Sequence, residues 1–222
     1  MASTATLAPA IRPLAQTSRL EWLKRQPRKP GEASFFWYES HFQSEAVKVL
    51  PGEYFCYHED LLIMTTLGSC IAACLWDRRA RIGGMNHFLL PEGAGADTGG
   101  RYGSIAMELL INEMMKLGAH RSSLEAKVFG GGQVVSGMTS MHVGERNTTF
   151  VLDYLKAERI PVISKDVLGV YPRKVCFLPA SGKAMVKRLA LTHSHDALAV
   201  QEQIAAQKVT PTATNGGSVD LF

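Results

Sequence analysis

The chain has 222 residues, 46% of them hydrophobic and 20% charged, with a formal net charge of +4. This length suits one domain with tails and can bury a sizeable core, and no apolar run is long enough to cross a bilayer. Much of the positive excess sits in the first 31 residues, where Arg12, Arg19, Lys24, Arg25, Arg28 and Lys29 face only Glu21. The remaining body is nearly neutral, which argues against a nucleic-acid binder, since such domains gather Lys and Arg on one face.

In chain order, residues 1–44 are rich in Ser, Thr, Ala and Arg and poor in acid. They are expected to form a disordered or loosely packed extension, a composition shared with organelle transit peptides. The aromatic stretch "FFWYESHF" at 35–42 is its best candidate for packing on the domain. A folded domain is expected over 45–191 and a flexible tail over 192–222. Within the domain, "LLIMTT", "CIAACLW", "RIGGMNHFLL", "LEAKVFG", "IPVISKDV", "RKVCFLP" and "AMVKRLA" are short apolar or alternating runs closed by turn residues, as strands are. Two segments have helical spacing. "GSIAMELLINEMMKLGA" aligns Met107, Leu110, Ile111, Met114 and Leu117 on one face before Gly118, and "GERNTTFVLDYLKAERI" aligns Asn147, Phe150, Val151, Tyr154 and Leu155 before Pro161. The expected class is α/β or α+β, a single domain of mixed or antiparallel sheet layers with at least two covering helices.

The Gly-rich stretches "PEGAGADTGG" and "FGGGQVVSG" follow strands but carry neither GxGxxG nor GK[ST], so they read as loops bordering a site and not as nucleotide cradles. Cys56, Cys70, Cys74 and Cys176 show no CxxC spacing and no secretory signal precedes them, which points to reduced thiols in the cytoplasm. The His-x-His of "HSHD" at 193–196 has metal-like spacing but belongs to the expected tail, where it reads as solvated.

Chemistry concentrates between Thr65 and Pro91. A hairpin with its tip between Arg78 and Arg79 sets Cys70 directly opposite His87, with Cβ atoms about 4.5–5.5 Å apart on one face. A thiol and an imidazole so placed can share a proton. A register slip of one residue would instead turn them to opposite faces. Gly68 and Ser69 let the backbone turn closely just before the sulfur, where N–H groups could receive an oxyanion. Residue types alone also allow a buried Cys that merely packs and a His that merely fills a core.

At these residues the sequence resembles the CheD family of chemoreceptor glutamine deamidases. The matching segments are "LGSCIAACLWD", "GGMNHFLLP", the helix after "GGRYG", "AKVFGGG", "HVGERN" and "RKVCFLPASGKAMVKRL", in family order across about 65–189. The resemblance implies an α/β sandwich-like domain that hydrolyses Gln side chains of methyl-accepting chemotaxis receptors to Glu. It makes Cys70 the nucleophile and His87 the base, helped by a Thr for which Thr65 and Thr66 both qualify and Thr65 is preferred. It implies no metal or organic cofactor, no membrane insertion, and in some bacteria binding to a CheC-type phosphatase. The segment "DVLGVYPRKV" departs from the family pattern, which carries Gly-Gly after the Asp and a Gly before the Arg. Two other readings use the same residues: a non-catalytic adaptor for receptors or chemotaxis proteins, and a Cys protease or transglutaminase working through the same acyl-thioester.

Overall fold

The computed structural model describes residues 18–90, 96–134 and 141–190. Ten strands form two five-stranded sheets. The first sheet takes β1 (Phe35–Glu39), β2 (Ser44–Lys48), β4 (Leu62–Leu67), β9 (Arg173–Leu178) and β10 (Lys183–Arg188), in that spatial order. The second takes β3 (Tyr54–Tyr57), β6 (Ile82–Phe88), β5 (Ile71–Asp77), β7 (Leu124–Gly130) and β8 (Val162–Val167). Pairing is antiparallel except for β2 with β4 and β7 with β8. The parallel β7–β8 pair is joined through helix α3 (Met141–Ala157), the covered crossover that parallel neighbours require.

Three layers result, and the expected α+β sandwich is the observed class. The inner faces of the two sheets enclose one core containing Phe55, Ile63, Leu67, Cys70, Ala72, Cys74, Met85 and Phe177. The opposite face of the second sheet, with Ile71, Ala73, Leu75 and Phe88, is covered by α3 and by α2 (Ala96–Lys116). Strand β5 is therefore buried on both faces, which is why "IAACL" is apolar throughout instead of alternating. The stripe Met107, Leu110, Ile111 and Met114 is the buried face of α2, and Val151 and Leu155 lie on that of α3.

The expected domain start at residue 45 moves earlier. Residues 18–44 hold α1 (Arg19–Arg25), β1 and the first residue of β2, and they pack on the body through Leu23 and Phe36 in the inter-sheet core. The physical reason lies in a few large apolar side chains, each worth about 1.5–3 kcal/mol on full burial, which outweigh a polar average composition. The sequence also passed over β2 and β3, whose short runs depend on neighbours for their pairing. The tail over 192–222, with "HSHD", and residues 1–17 lie outside the described residues.

Candidate active site

The β5–β6 hairpin sits one step from the expected register. Asp77 pairs with Ile82, so four residues form the turn and its midpoint moves one residue toward the C-terminus. The cause is the Asp77 carboxylate, which accepts the N–H groups of Arg79 and Ala80, while Arg81 adopts a left-handed φ of 56° and donates to the Asp77 carbonyl. Ala72, not Cys70, is thus directly opposite His87. A one-residue shift of the midpoint moves every partner by two, which preserves the face. Cys70 and His87 remain on the inter-sheet side, the thiol now diagonal to the imidazole across the hairpin and not directly opposite it.

Both side chains are buried. His87 is fixed from the first sheet: its Nδ1 lies 2.8 Å from Thr65 Oγ1, and the same hydroxyl lies 2.8 Å from the Val49 carbonyl oxygen. A carbonyl can only accept, so the single hydroxyl proton of Thr65 goes to Val49. Thr65 must then accept from His87, which places the imidazole proton on Nδ1 and leaves Nε2 with the basic lone pair. A second contact from Nδ1 to the Val49 oxygen at 3.4 Å demands the same tautomer. The main chain of His87 is held as well, donating to the Glu53 carbonyl and accepting from Gly52 N–H at 2.9 and 2.7 Å. Of the two threonines, Thr65 meets the histidine; Thr66 points to the opposite face of β4 and is less buried.

The turn before the thiol is anchored carbonyl by carbonyl. Gly68 O accepts from Gly132 N, Ser69 O from Asn147 Nδ2 and Cys70 O from Gly131 N, at 2.8, 2.9 and 2.8 Å. This is the role of "GGG" at 130–132: Gly130 has φ 114°, and a Cβ there would lie 2.1 Å from the Cys70 oxygen. Beside it, Gly131, Gln133, Gly144, Glu145, Leu168, Gly169 and Val170 line a cavity of about 100 Å³. The loop 168–171 is braced by the buried Arg173, which donates to Asp166 and to the carbonyls of Leu168 and Tyr171, in the segment where the sequence departs from the family pattern.

Two further residues belong to this region. Asn147 was legible only as a member of the apolar face of α3, yet its carboxamide spans to Ser69 and Leu90; a buried Asn on such a face is the signal. Tyr102, in α2, brings its hydroxyl to 3.8 Å from where a Cβ on Gly52 would be. Burial, and after it the negative charge of a Cys70 thiolate, push that phenol above its ordinary value. The remaining thiols are structural in character. Burial pushes Cys56 up to about 12 and raises Cys74 and Cys176 as well. Among the described residues no group of His, Cys, Asp and Glu could hold a metal ion.

A thiol, an imidazole and a hydroxyl in contact with that imidazole are thus brought to the space between the two sheets of an α+β scaffold. The comparisons with known proteins converge on one family. Residues 89–188 match the model described as CheD chemotactic sensory transduction. A protein of Albidiferax ferrireducens named probable chemoreceptor glutamine deamidase CheD 1 is 61% identical over 222 residues, covering 100% of this chain and 94% of the relative. Its namesake in Shewanella oneidensis is 49% identical over 84% of this chain and 92% of its own length. A probable chemoreceptor glutamine deamidase CheD of Xanthomonas campestris is 51% identical over 83% and 92%. The chain belongs to the CheD family. No helix among the described residues is long and apolar enough to cross a membrane.

Proposed function

We propose that this protein is a cytoplasmic deamidase that hydrolyses glutamine side chains of methyl-accepting chemotaxis receptors to glutamate, with Cys70 as nucleophile, His87 as base and Thr65 as the residue that orients it. The observation that carries the reading is the Val49–Thr65–His87 chain, because it selects the Nδ1–H tautomer and leaves Nε2 to take the thiol proton. The relatives' names supply the substrate class.

In the reaction, His87 Nε2 removes the proton from Cys70 Sγ, and the sulfur attacks the carboxamide carbon of the glutamine. The tetrahedral oxyanion collapses, the C–N bond breaks, and the imidazolium gives its proton to the departing ammonia. A water, deprotonated by the same nitrogen, attacks the thioester; the C–S bond breaks, leaving glutamate and the thiol. Through both steps Thr65 keeps Nδ1–H in place and stabilises the imidazolium. This chemistry needs no metal or organic cofactor, and a CheC-type phosphatase is a candidate partner through the same family relation.

The deciding measurement is mass spectrometry of receptor cytoplasmic fragments after incubation with wild type and with Cys70→Ala. Gln-to-Glu conversion by the wild type alone is the expected result. Backbone cleavage would indicate a protease, cross-linking a transglutaminase, and an unchanged receptor that still binds an adaptor. Conversion at the wild-type rate by Cys70→Ala would remove the nucleophile assignment.

A further inference from the structure

The loop that joins β8 to β9 holds one residue in a conformation its side chain resists. Leu168 has a φ of 63°, in the left-handed region that glycine enters freely and leucine enters only under strain. The next residue, Gly169, has φ 73°, so the chain turns through two left-handed positions and only the second is a glycine. The leucine gains little burial there: it is 38% exposed, and Val170 and Tyr171 are 45% and 44% exposed. Two aliphatic side chains and an aromatic ring thus stand out from one strained turn. Strain of this kind persists only where the surroundings hold it, and it concentrates where a protein meets its ligands.

The surroundings tie this loop to the thiol. Ile71, Gly130 and Val167 are neighbours across β5, β7 and β8, so Leu168 continues a line that begins at Cys70 and stands two strand spacings from it, about 10 Å. Leu168 N–H donates to the Gly130 carbonyl and Gln133 N–H to the Gly169 carbonyl, at 2.9 and 2.8 Å. Arg173 fixes the carbonyls of Leu168 and Tyr171 from below. The cavity of about 100 Å³ takes its lining from Leu168, Gly169 and Val170 and from Gly131 and Gln133 of the segment that grips Cys70; this is less than the roughly 150 Å³ that admits a benzene ring and suits a small aliphatic side chain. Beside the loop, Lys165, Arg173 and Arg188 outnumber the one carboxylate, Asp166, which both guanidinium groups already engage. A second copy of this chain would bring that basic cluster against its own like in a self-complementary contact, whereas a substrate whose glutamines become glutamates meets it with the opposite sign. We propose that loop 168–171 is a specificity element, in which Leu168, Val170 and the cavity beside them receive an apolar side chain of the receptor segment that carries the target glutamine.

This inference rests on the receptor glutamine deamidase reading and names where that substrate is recognised. Leu168→Gly and Leu168→Asn both suit a positive φ and remove the apolar tip, so neither should lower the urea midpoint. Leu168→Met keeps an apolar side chain, and Val170→Ser tests the neighbouring contact. Each full-length variant is assayed for kcat and KM by ammonia release from a receptor cytoplasmic fragment, and for oligomeric state by size-exclusion chromatography. On the substrate side, mass spectrometry locates the glutamine that the wild type converts. The apolar residues flanking it are changed to Ser one at a time, and each change is combined with Leu168→Asn in a double-mutant cycle.

The expected result is a KM raised at least about fivefold in Leu168→Gly, Leu168→Asn and Val170→Ser, since burying the exposed part of such a side chain is worth up to about tenfold in affinity. In the same variants kcat stays within about twofold, the split that marks lost binding and not lost chemistry. Leu168→Met should have a KM near that of the wild type, and one substrate serine should cost nothing further once Leu168 is Asn. A fall in kcat with KM unchanged would mean that the loop only supports the catalytic turn, and a lowered urea midpoint in Leu168→Gly would mean that the leucine serves the fold. Additive costs in every cycle would put the contact elsewhere, and unchanged kinetics with a lost dimer would make the loop a contact between copies. Each of these overturns the inference. If the wild type converts no receptor glutamine, the deamidase reading fails and the inference with it; conversion that Leu168→Asn matches in both kcat and KM removes the inference alone.

Discussion

Replacing Thr65 by Val keeps the size and β-branching of a buried side chain and deletes one hydroxyl. That hydroxyl makes two bonds of 2.8 Å, donating to Val49 O and accepting from His87 Nδ1. In the resting state each is a neutral hydrogen bond with a net worth of about 1 kcal/mol. When Nε2 takes the thiol proton, the bond from Nδ1–H becomes charge-assisted and roughly doubles in strength. The part made only on the way to the transition state is therefore about 1–2 kcal/mol, or about 5–30-fold in rate. The Val49 oxygen, freed of its hydroxyl partner and already 3.4 Å from Nδ1, can take over part of that duty. The expected fall in kcat is thus about tenfold, with KM little changed because the hydroxyl faces the base and not the substrate. Initial rates of ammonia release from a receptor cytoplasmic fragment measure it, and Thr65→Ser, which restores the hydroxyl, should recover most of the loss. A folded Thr65→Val protein with wild-type kcat would refute the tautomer argument. A loss as complete as that of Cys70→Ala would show that Thr65 takes part in bond making instead of orienting the base.

Two other expectations follow from the surroundings of the site. Gly130→Ala places a Cβ 2.1 Å from the Cys70 oxygen at φ 114°, so strain and overpacking should together cost at least about 3 kcal/mol; wild-type urea stability and kcat in that variant would contradict the close approach. Asp166, although its burial alone would raise it, is held below the ordinary carboxylate range by the guanidinium groups of Arg188 and Arg173. Its folded pKa thus lies below the unfolded value of about 3.9, and the stabilisation is complete above that pH and lost as pH falls through the folded value. Urea unfolding should show wild type more stable than Asp166→Asn near neutrality, with the gap closing in acid; a gap independent of pH would show that the ion pairs contribute nothing.

Much of this protein was legible in its residues. The runs from "LLIMTT" to "AMVKRLA" all became strands, because apolar stretches bounded by turn residues carry their own local signal, and the two 3.6-residue stripes became α2 and α3. Cys70 and His87 could be picked out from the sequence, with Thr65 and Thr66 both left as candidates, and the face shared by the thiol and the imidazole followed from a period of two. Tertiary structure decided the rest. A carboxylate at Asp77 chose a four-residue turn over a two-residue one and moved the register, since turn geometry depends on which N–H groups a side chain captures. Residues 18–44 joined the fold because Leu23 and Phe36 found a core that their own neighbourhood does not announce. Thr65 was separated from Thr66 only by its contact with His87 of the opposing sheet, and Asn147 acquired its partners from the segments just before β5 and just after β6, both distant from it in sequence. Local propensity and periodicity are written in neighbouring residues, whereas hydrogen-bond partners across layers depend on how those elements pack, which no single segment encodes.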